Sequence, residues 1–548
     1  MAMGAPTIYG GIPVLVLKEG TQRQRGRDAL FNNILVATII ADMVKSTLGP
    51  KGMNKMLVDP MGEVIITNDG ATILDELDVE HPAAKMIVNV AKTQDSEVGD
   101  GTTTAAVLAG ELLVRARELI EKEIHPVLII RGYKMARDKA LEILDEIAQE
   151  IDINDEERLK LVAITALGSK TFRGVREKLA EIVVKAVKRV TEKRDSGYRV
   201  DTKLIQIIKK EGGSIADTKL IDGIVIEKEV VHPNMPKRVE NAKILLLNKG
   251  LEVEKTEIDM EGRITDPTHI SALLDQEEKM IRKMVDKIAE LGANVVITQK
   301  GIDDLAQYLL ARKGILAVRR VKKSDLEKIS KATGAKIVNN LEEASAEDLG
   351  KAQVVREEKI GGTEFIFIEG CENPKAVTIF IRGPTKQDVD EIERSVIDAI
   401  HDIRNIILEP KVVGGGGAVE IELARRLKKY AESVGGREQL AINAFAEALE
   451  EIVKAIVTNA GHDALEVLVK LRSEHENGNI HHGFDAHDGE IKNMLEANII
   501  DPVRVKKSVV KTATDVSEMI LRIDEMIVAK REKKESKKGE EEEEEEKF

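Results

Sequence analysis

The texture of the chain changes twice, and that double change limits the folds open to it. Residues 1–150 read as mostly helical. From about Tyr198 to Ile381 the pattern becomes β-rich α/β, with short strands expected in "GIVIEKEVV", "KILLLNK", "NVVITQKG", "LAVRRV", "KIVNN", "EFIFIEG" and "AVTIFIRG", several of them separated by helical segments. After "RGP" the chain turns helical again to its end. A helical region, an α/β region and a second helical region suggest an α/β unit inserted into a helical one. Such an insertion lets two distant stretches build one site. At 548 residues the chain exceeds one core and suggests about three or four domains of the usual size.

Glycine-flanked motifs punctuate the helical parts. A helix expected over 27–48, with apolar positions at Leu30, Ile34, Leu35, Ile39, Met43 and Val44, ends at "LGPKG". Two alternating strands, "KMLVD" and "EVIIT", then deliver "NDG" (Asn68, Asp69, Gly70). Helices are expected over 72–77, 82–93, 102–120 and 126–151, the last with proline in its first turn. Between the second and third stands "GDGTTT": Gly99, Asp100, Gly101, then Thr102, Thr103 and Thr104. Read locally, this is a turn and a helix start, where Thr and Asp accept bonds from the first unpaired amides. It also suits a phosphate, because glycines let the anion approach bare amides at the positive end of the helix and an aspartate can hold Mg²⁺. In the second helical region "VVGGGGAVEIELARRL" repeats the arrangement, with Gly414 to Gly417 leading straight into a helix. Each element alone reads first as an ordinary helix start; together they favour a nucleotide. The chain carries no GxxxxGK[ST] and no GxGxxG, which excludes a P-loop or dinucleotide fold.

Composition narrows the function classes. Charged residues make up 33% and the net charge is −14, which argues against a nucleic-acid binder with its basic face. Cys371 stands alone and cannot form an internal disulfide, and "MAMGAPTIYGG" lacks a basic n-region followed by an apolar stretch, so a cytoplasmic protein is expected. No apolar run reaches the roughly 18 residues of a membrane helix. With no Trp and 2% aromatic residues, the cores must be aliphatic. Dense Lys, Glu and Arg would fit a thermophile using surface ion-pair networks.

Several long motifs in order carry a resemblance: "STLGPKGMNKMLVD", "ITNDGATIL", "HPAAKMIVNVAKTQDSEVGDGTTTA", "VVHPNMPKRVENAKI", "QKGIDDLAQYLL", "VRRVKKSD", "GREQLAINAFAEALE" and "PVRVKKS". Over nearly the whole chain, from about residue 12 to 528, it resembles the group II chaperonins, the archaeal thermosome and its eukaryotic cytosolic relatives. The resemblance implies a chaperonin fold of three parts. These are a mainly helical equatorial ATPase domain (1–152 and 410–548), an α/β intermediate hinge domain (153–222 and 374–409), and an inserted α/β apical domain (223–373) with a helical lid protrusion at about 251–281. It also implies ATP and Mg²⁺, non-native protein clients, and assembly with copies of itself or paralogous subunits in stacked double rings of eight or nine. A built-in lid makes a separate lid protein unnecessary. The rival reading is a structural ring or filament protein that binds nucleotide without productive folding activity.

The same resemblance assigns roles. Leu48, Gly49 and Pro50 with Asn68 and the Gly99–Thr104 motif would hold the phosphates, with Asp100 as the Mg²⁺ ligand. Asp69 and Asp398 match the carboxylates that position and activate the attacking water. Gly415 and Gly416 would contact nucleotide, Asp485 and Ala486 would line the base pocket, and Asp501 would take the ribose hydroxyls. Lys170, in "TALGSK", matches a lysine that senses the γ-phosphate, although the residues before it depart from the usual small polar residue and glycine.

Pattern alone disagrees about Asp398. On the helix expected over 388–408 the apolar stripe includes Val389, Ile392, Val396, Ile400, Ile403 and Ile407, which leaves Asp398 on the opposite, solvated face with Asp390, Glu391 and Asp402. His475, His481, His482 and His487 cluster in "HENGNIHHGFDAHD"; without an i, i+4 pair or a nearby cysteine they read as a loop near the base pocket before a transition-metal site. The tail "KREKKESKKGEEEEEEEKF" reads as a solvated end, and it departs from the Gly- and Met-rich tails common in thermosomes. In "DPTHISALLDQEEKMIRKMVDKIAELG", Asp266 and Pro267 suit a helix start and Ile270 to Leu291 carry one apolar stripe. The second half suits a core-facing helix and the first half the protrusion.

Overall fold

The computed structural model describes residues 7–9, 12–14, 22–58, 61–62, 64–77, 79–168, 174–195, 197–252, 267–372 and 374–528. Lys170, the protrusion segment 253–266 and the tail 529–548 lie outside the described residues.

Three hydrophobic cores follow one another along the chain and then return. The first is helical and draws on both chain ends. It contains α1 (Gly26–Lys45), α2 (Gly70–Glu76), α3 (Pro82–Glu97), α4 (Thr102–Glu121) and α5 (Pro126–Ile147). Against them pack buried residues from beyond 412, among them Val413, Leu423, Phe445, Leu449, Val503 and Val509. Small side chains let the helices approach: Ala105, Ala106 and Ala109 on α4 are fully buried, and Gly110 lies so close to Ala41 that a Cβ there would stand 2.4 Å from the alanine's own. The helix starts are legible. Asp69 caps α2, and α3 and α5 each place proline in the first turn. α5 stops at Ile147, short of 151, because Gln149–Glu150 joins a sheet with Lys411–Gly414 and Ile500–Pro502. The strands Glu525–Val528 and Gln22–Arg25 pair antiparallel and tie the two ends together.

The second core takes α6 (Glu156–Ala166), α7 (Arg176–Val190) and a three-stranded sheet in which Val377–Gly383 lies between Lys219–Ile221 and Ile205–Glu211. The third core is a seven-stranded mixed sheet. It runs Gly223–Ile226, Thr363–Glu369, Gly350–Ile360, Arg238–Leu247, Val295–Thr298 and Leu316–Val318, with Ile337–Val338 paired to Arg238–Leu247 off this path. Helices α8 (Pro267–Glu290), α9 (Asp304–Arg312) and α10 (Lys323–Thr333) cover it. Ile281, Val285 and Ile288 of α8 are buried there, so the second half of that helix faces the core. Phe365, Phe367 and Phe380 join the second and third cores; the rings of Phe365 and Phe380 meet edge to face at 5.6 Å, and Phe367 is tilted against Phe380 at 5.7 Å.

One long helix, α11 (Lys386–Leu408), closes the return path, and its Thr385–Asp388 capping box fixes its start. Its apolar stripe buries Val389, Ile392, Val396 and Ile403 in the second core, while its last turns reach the first. The chain then completes the first core with α12 (Ala418–Val434), α13 (Glu438–Asn459), α14 (Ala464–Glu476) and α15 (Val503–Leu521).

The close approach of α5 and α13 gives a test of this packing. A Cβ on Gly132 would meet the Ala441 Cβ at 2.5 Å and the Glu438 carbonyl oxygen at 2.8 Å. Gly132→Val is expected to overpack the first core and cost about 1–3 kcal/mol, read as a lower denaturation midpoint. An unchanged midpoint would contradict it.

Candidate functional site

The site begins at the turn between α3 and α4. Gly99 and Gly101 both adopt φ +75°, a left-handed conformation that favours glycine. Gly101 is the N-cap of α4 and brings no side-chain cap, so the first amides of a 20-residue helix, those of Thr102, Thr103 and Thr104, lack intrahelical partners. Three buried contacts hold the turn. The Gln94 side-chain amide donates to the Asp100 carbonyl at 2.8 Å, Ser508 on α15 donates to the Gln94 Oε1 at 2.8 Å, and Asn405 on α11 donates to the Val98 carbonyl at 2.8 Å. The ring of His401 on α11 lies against Gly99 so closely that a Cβ would sit 1.6 Å from Nδ1.

Asp69 arrives from the hairpin of Lys55–Val58 and Val64–Thr67. Its carboxylate accepts from the Thr72 amide at 2.8 Å, the Thr72 hydroxyl at 2.6 Å and, more distantly, the Thr102 hydroxyl at 3.5 Å. A Cβ on Gly70 would stand 2.3 Å from the Thr103 Oγ1, so the starts of α2 and α4 meet at Asn68, Asp69 and Gly70. The Leu48–Gly49–Pro50 turn is tied to α13: Asn459 donates to the Lys45 carbonyl at 3.0 Å and the Leu48 carbonyl at 2.8 Å. Leu48 is buried and Pro50 exposed.

The glycine loop before α12 forms a second such start. Gly417 is its N-cap at φ +80°, again without a side-chain cap. Gly416 has no room for a side chain, since a Cβ would lie 2.6 Å from the Phe484 carbonyl oxygen, and the Phe484 amide donates to the Gly416 carbonyl at 2.8 Å. That contact places the hairpin of His482–Asp485 and Glu490–Asn493, with Asp485 and Ala486, directly on the loop. Asp501 flanks Gly415, whose Cβ would be 3.6 Å from its Oδ2. Asp485 is itself buried and bonded: burial pushes its pKa up, but Lys492 at 2.5 Å and the His487 amide outweigh that and hold it below its ordinary value.

α11 completes the group and corrects the pattern-based placement of Asp398 on a solvated face. Asp398 is half-buried, and its carboxyl is pushed well above the usual carboxylate range, by burial first and then by Asp100, Asp69 and Asp95. Asp402, also expected to be solvated, is 3% exposed, and its Oδ1 has no hydrogen-bond partner. Burial raises its pKa as well, followed by Asp100, Asp501 and Asp398. Asp100 is pushed up to about 6, chiefly by burial; the Gly101 amide and Lys506 oppose the shift, while Asp501 and Asp69 add to it. The cation among them, Lys506, bridges Asp501 and Glu420 at 3.0 Å each; burial would lower its pKa, but those two carboxylates raise it.

Sequence reasoning missed Asp402, Lys506, Gln94 and His401. Their signal was only position: Asp402 one helical turn after Asp398, His401 between those two, Lys506 within "PVRVKKS", and Gln94 five residues before Gly99. The histidines also need a correction. His475 sits not in a loop but on α14, fully buried, with both ring nitrogens engaged.

The arrangement fits a magnesium–nucleotide complex. Two uncapped helix starts and a glycine cradle offer amides to an anion, while crowded carboxylates with one lysine call for added positive charge. Among the described residues no three His, Cys, Asp or Glu stand close enough to hold a metal ion by themselves.

A helical base with a nucleotide-type cradle, spliced to a mixed-sheet unit through one long helix, is the chaperonin plan. Residues 40–531 match the TCP-1/cpn60 chaperonin family, and the chain belongs to that family. It is 58% identical over 520 residues to thermosome subunit alpha of Archaeoglobus fulgidus, covering 95% of each chain. Over 521 residues it is 58% identical to thermosome subunit beta of Thermococcus kodakarensis, again 95% of each. Among solved structures it is similar to the open-state monomer of a group II chaperonin from Methanococcoides burtonii. The TM-score is 0.58 at 45% identity, with 78% of this chain and all of that one covered.

The crowded carboxyls make stability depend on pH. Asp402 has a folded pKa raised above its ordinary 3.8. As pH rises past that value the unfolded chain releases the proton while the folded protein keeps it, so stability is lost. Asp402→Asn removes this loss. The advantage of the variant over the parent, measured by thermal denaturation without nucleotide or magnesium, is expected to grow as pH rises above about 4. Parallel pH curves would contradict the burial of Asp402 among carboxyls.

Proposed function

We propose that the chain is an ATP-hydrolysing subunit of a double-ring chaperonin that encloses non-native proteins. The observation that carries this reading is that α11, rooted in the second core, presents Asp398 to the Gly99–Thr104 turn and Asp69 of the first. The first core, 1–152 and 410–548, is then the equatorial domain. The second, 153–222 and 374–409, is the intermediate hinge, and the third, 223–373, the apical domain. The thermosome names of its relatives support assembly into rings, and the absence of a long apolar helix among the described residues is compatible with a cytoplasmic place.

In this reading the amides of Thr102, Thr103 and Thr104 and the Gly415–Gly416 loop hold the triphosphate, with Leu48, Gly49, Pro50 and Asn68 at its edge. Asp485 and Ala486 lie at the base and Asp501 at the ribose. Asp100 would hold Mg²⁺, which would neutralise charge on the phosphates as the terminal group departs. Asp69, fixed by its α2 capping bonds, orients the attacking water. Asp398 accepts the proton from that water, and its raised pKa makes it a more effective base once it is ionised. No activated serine or cysteine is needed, because phosphoryl transfer to water asks mainly for positioning and charge stabilisation. Since Asp398 rides on the second core, hydrolysis depends on that core being seated on the first, which couples chemistry to domain position.

Two outcomes follow. Asp398→Ala is expected to retain ATP binding while hydrolysing it at least about a hundredfold more slowly, a barrier increase of about 2.7 kcal/mol. Near-normal turnover would remove Asp398 from its role. The folding-chamber reading is tested with a protease: a client bound by the intact protein should become protected when ATP is added. With residues 254–278 replaced by a short Gly/Ser linker, hydrolysis should persist and protection should vanish. A passive nucleotide-binding scaffold would protect the client in neither form.

A further inference from the structure

His475 is fully buried, yet it touches no residue assigned above. Its Nδ1 lies 2.9 Å from the Glu422 Oε2 and its Nε2 lies 2.8 Å from the His482 carbonyl oxygen. Both neighbours are acceptors. Glu422, also without exposure, accepts from Arg425 at 2.8 Å and Arg426 at 2.6 Å. Burial would raise its pKa, but His475 and the two arginines outweigh that and hold it at about 2. A carbonyl and an ionised carboxylate cannot donate, so each ring nitrogen of His475 faces an acceptor to which an N–H can donate.

The two partners explain why such a group is kept. Glu422 belongs to the first turns of α12, just after the Gly414–Gly417 loop. His482 opens the hairpin strand that lies on this loop through the Phe484 amide and the Gly416 carbonyl. His475 therefore spans the α12 start and the hairpin from behind. Glu420, two residues from Glu422 and so on the other side of the helix, reaches Lys506 and through it Asp501. The beginning of α12 thus fixes two walls around its own glycine loop.

We propose that His475 is the positioning residue for the nucleotide seat: it locks the 482–493 hairpin onto the glycine loop and so sets nucleotide affinity without touching nucleotide. This rests on the ATP-binding reading of the loop. Polar burial of this kind is costly unless partners are in place, and here an acceptor stands at each ring nitrogen.

The test uses the assembled full chain. His475→Phe keeps a ring and loses both polar contacts. It is expected to raise the KM for ATP at least about tenfold while leaving kcat within about twofold, the signature of lost uniform binding. His475→Gln, which restores one donor, should recover part of the affinity. An unchanged KM in an assembled His475→Phe, or a fall in kcat alone, would overturn the proposal. Independently of any variant, hydrogen exchange in the nucleotide-free parent should show slow amides across residues 482–486; exchange at open-loop rates would overturn it equally. Failure of the parent itself to bind ATP would instead defeat the ATPase reading, so the two failures are distinguishable.

Discussion

Everything at the site depends on how α11 meets the Gly99–Gly101 turn. The turn has no room for a side chain at Gly99 because the His401 ring occupies that space, and Asn405 on the same helix bonds the Val98 carbonyl. The helix is thus fitted to the backbone of the turn at two points one helical turn apart. Asp398 and Asp402 come with it, because both project from that helix toward the carboxyls of the first core. Had the turn carried any larger residue than glycine, the helix would be pushed away and the carboxyls with it. A geometric fit measured in fractions of an ångström therefore decides whether the two cores make one site.

The electrostatics give that fit a direction. Six aspartates, at 69, 95, 100, 398, 402 and 501, gather across the junction; Lys506 opposes the shifts of Asp100 and Asp402, and Arg394 that of Asp398. Asp398 and Asp402 are thereby held above the ordinary carboxylate range, and added positive charge nearby would bring them back down. A ligand that brings a divalent cation changes the balance at the interface between the cores, where the binding energy can act on domain position. On the function proposed above, this mismatch of charge is what gives the site something to gain from a cation-bearing ligand.

Much of this was legible in the residues, for identifiable reasons. Glycine-flanked helix starts announce themselves because left-handed turns and bare amides demand particular residue types, so Gly99–Thr104 and Gly414–Gly417 could be read locally. The division into helical and α/β regions followed from periodicity. Asp398 could not be read that way. The 3.6-residue pattern marks the face of α11 buried in its own core and says nothing of a second surface meeting another core, so a polar face was taken for a wet one. Asp402 was hidden by the same rule, and His475 by a run of histidines that looked like one loop. The strand Gly350–Ile360 escaped because its sequence, GKAQVVREEKI, is mostly polar and gains its place only by pairing on both sides. Long-range partners are what a local pattern lacks.

Electron cryomicroscopy can show whether two separated stretches and a helix from the middle of the chain build one nucleotide site. The assembled protein would be imaged with magnesium and a non-hydrolysable ATP analogue. The account predicts the phosphates at the amides of Thr102 to Thr104, the cation at Asp100, and the terminal phosphate between Asp69 and Asp398 with α11 seated on the turn. Nucleotide density elsewhere, or a bound nucleotide with α11 of the closed protein withdrawn from Gly99, would contradict it.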